Sequence, residues 1–312
     1  MLNRTATFFS AIPLLFQFAG CVTTVVGPAA HGETNSVSKA SAPMAAPTEA
    51  AAPDPQIIAE AIRRGDAAWQ AGELDRAVYF YVVAVERSPQ DAPTLAKIGA
   101  IEESRKNIPL AQKAFEMAHE AQPDEPRIAE RLGWLYLQQA KFDKAADVFS
   151  QVLALYPQSA RALDGMGMAC RAWANYTDSI RYFNEALEAP DADVASVLTH
   201  RGYAKLLAGD LPGAGWDLRS ALNTTPPPEA WRYLGELQTR QHDDVEALKS
   251  LLKIMDTAHA QNEIGVVLMS MQEFRAAARK FTAAISAAPT WYEEAHRNLA
   301  IANEHLGSSP TG

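Results

Sequence analysis

The stretch Gly133-Trp-Leu-Tyr-Leu-Gln-Gln-Ala-Lys-Phe-Asp-Lys-Ala145-Ala-Asp-Val-Phe149-Ser-Gln-Val152-Leu-Ala-Leu-Tyr-Pro157 decides the fold. Its polar segment at 139–143 (Gln-Ala-Lys-Phe-Asp) reads as a turn between two helices. Pro157 ends the second helix, because proline cannot continue the hydrogen-bond ladder and biases its predecessor away from α. Phe149 lies four residues after Ala145, on the same helical face.

Working outward, the same pattern returns. Gly65, Gly99, Gly133 and Gly167 stand 34 apart, and Gly202, Gly235 and Gly265 follow at 35, 33 and 30. Twelve residues after each comes Ala77, Ala111, Ala145, Ser179, Ala214, Ala247 or Ala277. Sixteen after comes Tyr81, Phe115, Phe149, Phe183, Leu218, Leu251 or Phe281. Nineteen after comes a second column: Ala84, Ala118, Val152, Ala186, Ala221, Ile254 and Ala284. At 24 after, proline recurs in five copies, and Asp191 and His259 break the row. Registered columns at one period mean stacked supersecondary units. The expectation is that each Gly faces the first Ala across two antiparallel helices, with the bulky column filling the space beneath. The segment from Lys253 to His259 predicts a looser or shorter helix at the end of the sixth copy.

These spacings resemble the tetratricopeptide repeat. The resemblance implies an all-α, right-handed superhelical solenoid of about seven helix pairs plus a C-terminal end helix. On this chain the array would span 57–307, with repeats at about 58–91, 92–125, 126–159, 160–194, 195–227, 228–257 and 258–291. The end helix would be 291–306. Certain first-helix positions of the family line a concave face. They map onto Arg127, Glu130, Arg131, Trp134, Leu137 and Gln138 in the third copy. The fourth gives Arg161, Asp164, Met168 and Arg171, and the fifth Thr199, His200, Tyr203 and Leu206. The sixth gives Glu229, Arg232, Tyr233, Glu236 and Arg240. The residues expected to hold a partner are Arg127, Arg131, Trp134, Arg161, Met168, Arg171, Tyr203, Arg232 and Tyr233, because arginine and aromatic side chains dominate peptide hot spots. The competing reading is a solvated surface whose arginines pair locally with Glu130, Asp164 and Glu229. The chaperone-tail clamp of some family members needs Lys and Asn where this chain has Ile62 and Asp66, so that ligand is not expected.

Chemistry is hard to find elsewhere. The histidines are scattered without HExxH or a Cys/His cluster, so no metal or cofactor is expected. Gly209-Asp-Leu-Pro-Gly213-Ala-Gly215-Trp lacks the Gly-Lys-Ser/Thr ending of a phosphate loop. Cys170 falls on an inward-packing position and reads as a buried thiol. A net charge of −9 over 312 residues gives no basic footprint for nucleic acid. No small-molecule substrate is implied, and the chain reads as a non-enzyme.

The opening differs. Arg4 precedes the apolar run Phe8 to Phe16, a signal-peptide pattern over 1–20. The sequence Phe18-Ala-Gly-Cys21 resembles the lipobox of bacterial lipoproteins, which implies acylation of Cys21; the alternative is a secretory signal with an incidental cysteine. Val22 stands where family members kept at the inner membrane often carry Asp, which implies an outer-membrane, periplasm-facing location. Residues 22–56, rich in Ala, Pro, Ser and Thr, read as a disordered linker. Lipobox, linker and array together resemble the tetratricopeptide lipoproteins of tight-adherence (Flp) pilus assembly and the related pilotins. That resemblance implies membrane attachment by lipid and a protein partner such as a secretin. An envelope adaptor for peptidoglycan enzymes or proteases is the alternative.

Overall fold

A computed structural model describes residues 54–307. The expected signal peptide, Cys21 and nearly all of the linker lie outside them. The described residues form fifteen α-helices and no strand. They pair as α1 (Pro55–Gln70) with α2 (Leu74–Arg87), α3 (Ala92–Ser104) with α4 (Ile108–Ala121), and α5 (Pro126–Gln138) with α6 (Phe142–Leu155). Then follow α7 (Ala160–Ala172) with α8 (Tyr176–Glu188), α9 (Val194–Leu207) with α10 (Leu211–Leu222), α11 (Pro228–Arg240) with α12 (Asp244–Leu251), and α13 (Thr257–Ser270) with α14 (Phe274–Ala287). The end helix α15 is Glu293–Gly307. Helix α1 includes Pro55 and Gln56, which composition had assigned to the linker; the Asp54 carboxylate caps the Gln56 N–H at 2.9 Å and starts the helix there. No described helix is long and apolar enough to cross a membrane.

The columns do their work by burial. The first small residue of every copy is fully buried, and so is the bulky residue four later or nearly so. Each column glycine also bears on the bulky residue sixteen later: a Cβ on Gly133 would sit 2.6 Å from Phe149, and one on Gly65 2.5 Å from Tyr81. A bulky side chain, a ring in five copies and Leu218 or Leu251 in the others, therefore packs closely on a bare helix backbone in each pair. Ser179 keeps the fourth copy in register by donating its hydroxyl to the Gly167 carbonyl at 2.8 Å.

Pre-proline sterics end the second helices. Ser88, Gln122 and Tyr156, each before the column proline, take φ of −136°, −142° and −129°. In the sixth copy there is no such proline, and α12 is only eight residues long. It unwinds after Leu251, so Ile254 leaves the buried column and the Asp256 carboxylate starts α13 through the His259 N–H at 2.9 Å.

Every turn inside a pair carries one left-handed residue, seven positions after the column glycine. These are Gly72, Lys106, Ala140, Ala174, Gly209, His242 and Gln272, with φ between 55° and 87°. Only two are glycine, which is why composition does not reveal them.

From α5 onward, successive first helices touch one another: α5 with α7, α7 with α9, α9 with α11 and α11 with α13. No two successive second helices make comparable contact. The stack therefore curves toward its first helices, and their outer sides form its inner wall.

Candidate functional site

The inner wall is built from side chains that one-residue-per-turn spacing brings to the exposed side of α5, α7, α9 and α11. Trp134 on α5 is half-buried, edge-on to Phe149 at 6.3 Å between ring centres, and 6.3 Å from the His200 ring of α9. Arg161 on α7 lies 5.7 Å over the Trp134 ring. Farther along, the Arg171 guanidinium carbon lies 5.0 Å over Tyr203, and Tyr203 stacks on Tyr233 of α11 at 3.8 Å and 7°. The aromatic and guanidinium groups thus run across four consecutive first helices.

Two cavities open along this row. One, about 460 Å³, is lined by Glu130, Trp134, Arg161, Asp164, Asp191, Asp193, Val197 and His200. The other, about 290 Å³, is lined by Tyr203, Arg232, Tyr233, Glu236, Ile264 and Val267 among others. Burial pushes the Tyr203 phenol up to about 12, aided by the Glu236 charge. Burial likewise raises the Tyr233 phenol. Both stay protonated hydrogen-bond donors at neutral pH. Burial, with the neighbouring Arg131 charge, lowers the Arg161 guanidinium from its usual value, and at neutral pH it remains a cation.

The arginines are less available than their number suggests. Arg131 pairs with Glu103 at 2.8 Å, Arg161 reaches Glu130 at 4.0 Å, and Arg232 is held by Glu263. Arg240 is taken by Glu236 on its own helix at 2.9 Å. Local pairing through Glu130 is thus present, whereas Asp164 accepts from His200 at 2.8 Å instead of an arginine. Two donors on the wall are buried without a partner among the described residues: Trp134 Nε1 and Arg171 Nη1.

Of the residues singled out from sequence, Trp134, Arg161, Arg171, Tyr203, Arg232 and Tyr233 come together on this wall. Arg127 is exposed and lines a separate recess with Leu155, Tyr156 and Pro157. Met168 packs against the core formed by Leu163, Phe183 and Val197. Thr199 and Leu206 are buried and do not reach the wall; the Thr199 hydroxyl bonds back to the Ala195 carbonyl at 2.7 Å, four residues earlier. Asp191 and Asp193 went unnoticed as lining residues, although the broken proline column at Asp191 and the helix start at Asp193 both mark the loop that carries them. Cys170 is buried, and burial raises its thiol above the usual value. Among the described residues no group of three or more His, Cys, Asp or Glu is placed to hold a metal ion.

A sequence profile of the tetratricopeptide repeat matches residues 103–160. No curated protein matches the chain. Among solved structures, a tetratricopeptide repeat protein from Parabacteroides merdae aligns over 80% of this chain and 99% of its own, with 18% identity and a TM-score of 0.62. The Cut9-Hcn1 hetero-tetramer of APC/C aligns over 76% of this chain with 17% identity and a TM-score of 0.57; the match spans about half of that chain, 48%. PilW, described as a type IV pilus biogenesis factor, aligns over 79% of this chain and all of its own, with 16% identity and a TM-score of 0.49. The first two likenesses show the fold. Residues 103–160 match the tetratricopeptide repeat, and the described helices share the fold of a tetratricopeptide repeat solenoid.

Proposed function

We propose that this chain is a non-catalytic scaffold that holds an extended segment of another protein against its first helices. One observation carries the reading: the row from Trp134 through Arg161, Arg171 and Tyr203 to Tyr233 crosses four repeats and includes two buried donors, Trp134 Nε1 and Arg171 Nη1, that no described residue satisfies. Leaving a buried donor unmade is costly, so a site that presents two of them along one row is suited to a ligand with acceptors at matching places. An extended backbone has them.

The finer reading rests on the sequence. Acylation of Cys21 would hold the array at the outer membrane, facing the periplasm, on a tether whose coil span is about 30–35 Å. Tethering raises local concentration, so a weak groove affinity is enough for function. The combination of lipobox, linker and repeats favours a part in assembling an envelope secretion or Flp-type pilus system, with a secretin or similar component as the partner. Mass spectrometry of the mature N-terminus would find diacylglycerol on Cys21, and an unmodified cysteine would remove the anchor. For the groove, a photo-crosslinking amino acid at Tyr233 would capture a partner in cells. The same probe at Tyr79, on α2 and 63% exposed, would not. Equal capture at both positions would refute the groove.

A further inference from the structure

Four charge pairs on the first helices join neighbouring repeats. Lys97 meets Asp66 at 2.5 Å, Arg131 meets Glu103, Arg161 approaches Glu130, and Arg232 meets Glu263. Each pair joins one repeat to the next. Arg171 departs from this ladder. Its neighbour one repeat on is the Tyr203 ring, it makes no ion pair or hydrogen bond among the described residues, and its Nη1 is buried. A partly buried cation without a counter-ion is unfavourable in the free protein and prepared for an anion. The hydroxyls of Tyr203 and Tyr233, stacked beside it, make no hydrogen bonds among the described residues either.

The cavity next to Trp134 has the opposite character. Its wall carries Glu130, Asp164, Asp191 and Asp193 against one arginine, Arg161, and His200. Asp191 and Asp193 are exposed at the rim, where among the described residues their partners are backbone N–H groups and the Ser196 hydroxyl. This surplus of carboxylates draws a cation.

We propose that the Arg171–Tyr203–Tyr233 cluster receives the acidic side chain of a partner segment whose basic side chain enters the acid-lined cavity. This rests on the groove reading above and adds the charge pattern of the ligand. Asp164 and Arg171 lie on one helix seven residues apart, which is about 10 Å along its axis. An extended chain advances about 3.3 Å per residue, so the two charges of the ligand stand at least about three residues apart, and the shortest such spacing is the one to test. The anion is a side chain and not a chain end. Beyond Tyr203 the wall continues into the second cavity, past Tyr233 to Ile264 and Val267, so the segment runs on.

The test uses the full chain and acetylated, C-terminally amidated peptides of randomised flanking sequence with a fixed Lys-Xaa-Xaa-Glu core, read by calorimetry. Replacing the core Glu by Ala weakens binding at least tenfold, as expected for a charge-assisted bond. Arg171→Glu loses binding to a similar degree, Arg171→Gln does the same without a reversed charge, and a Lys-Xaa-Xaa-Lys core regains affinity for Arg171→Glu. Circular dichroism of the variants checks that each is folded. Peptides that bind, lose affinity with Trp134→Ala and ignore Arg171→Glu would overturn the charge pattern while leaving the groove. Binding that ignores both variants, or no binding by any peptide, would overturn both readings. Dependence on a free terminal carboxylate, with the amidated peptide inert, would replace the side-chain anion by a chain end.

Discussion

Gly133→Ala sets two well-measured effects against each other. By helix propensity alone the change should stabilise α5 by about 1 kcal/mol, since Ala is the best helix former and Gly among the worst. The packing says otherwise. The new Cβ would stand 2.6 Å from Phe149 Cε1 and Cζ and 3.1 Å from Cδ1. A comfortable carbon–carbon separation is about 3.5–4.0 Å, so the ring must retreat by about 1 Å. Phe149 is fully buried and Gly165 of α7 bears on its other edge, so there is nowhere for it to go. Overpacking of this kind costs about 1–3 kcal/mol, and because the obstacle is a rigid ring clamped on both sides the upper half of the range applies. The expected net is a loss of about 1–2 kcal/mol, read as a lower urea midpoint. Arrays unfold in parts, so the midpoint should be followed by Trp134 fluorescence, which reports the third pair. In the fifth and sixth copies the column pairs glycine with leucine, Leu218 and Leu251. Phe149→Leu in the Gly133→Ala background should therefore recover part of the loss, because a branched aliphatic side chain can shift where a ring cannot. A Gly133→Ala protein as stable as the parent, or more so, would refute the ring-on-backbone account of the repeat.

Ala140→Gly and Ala174→Gly should each stabilise by about 1 kcal/mol, because both alanines sit at φ near 55° where a Cβ is strained; unchanged chemical denaturation would show the turns relax at no cost. Asp217, fully buried between Arg201 at 2.6 Å and Lys205 at 2.8 Å, should cost about 3 kcal/mol when changed to Ala, since two partly buried cations lose their counter-ion. Tyr203 should ionise near pH 12 in a spectrophotometric titration, a step absent in Tyr203→Phe. Its folded value lies above the ordinary 10, so the stability it contributes is complete below pH 10 and lost as pH rises through 12.

The fold was legible because its cause is periodic. Close packing of identical hairpins needs the same volumes at the same places, and a column of Tyr or Phe sixteen residues after a Gly records that need directly. How closely the columns meet was not legible. Both the Ala column and the aromatic column lie on the second helix one turn apart, and spacing cannot say that the ring stands too near the backbone of Gly65 and Gly133 to admit a Cβ. The left-handed turn residues were invisible for another reason: five of seven copies place Lys, Ala, His or Gln there, so tertiary packing overrides local preference. At the candidate site, family position identified Trp134, Arg161, Arg171, Tyr203, Arg232 and Tyr233, yet position alone could not separate a side chain facing the groove from one facing the core. Thr199 and His200 are adjacent in sequence, and a helix turns 100° per residue, so one is buried while the other lines the cavity.

A rule for reading such surfaces follows from the charge ladder. Side-chain bonds between neighbouring repeats join residues about one period apart: 31 for Lys97 with Asp66, 29 for Ser159 with Glu130, 36 for His200 with Asp164, and 31 for Arg232 with Glu263. An arginine on a first helix is therefore already engaged when an acid stands about one repeat away on the same face. Arg131 and Arg232 meet that condition, and substituting them should disturb the joint between repeats as much as any ligand. Arg171 does not, because Tyr203 occupies the place. On the proposed reading, stability and recognition would be carried by different arginines of the same wall, and a double comparison separates them. Arg232→Ala should lower the unfolding midpoint and leave peptide selectivity intact. Arg171→Ala should leave the midpoint within about 0.5 kcal/mol, as for a surface change away from a network, and abolish selectivity for an acidic residue. If both variants lose stability alike, Arg171 is a structural residue and the wall's free donors are not there to be filled.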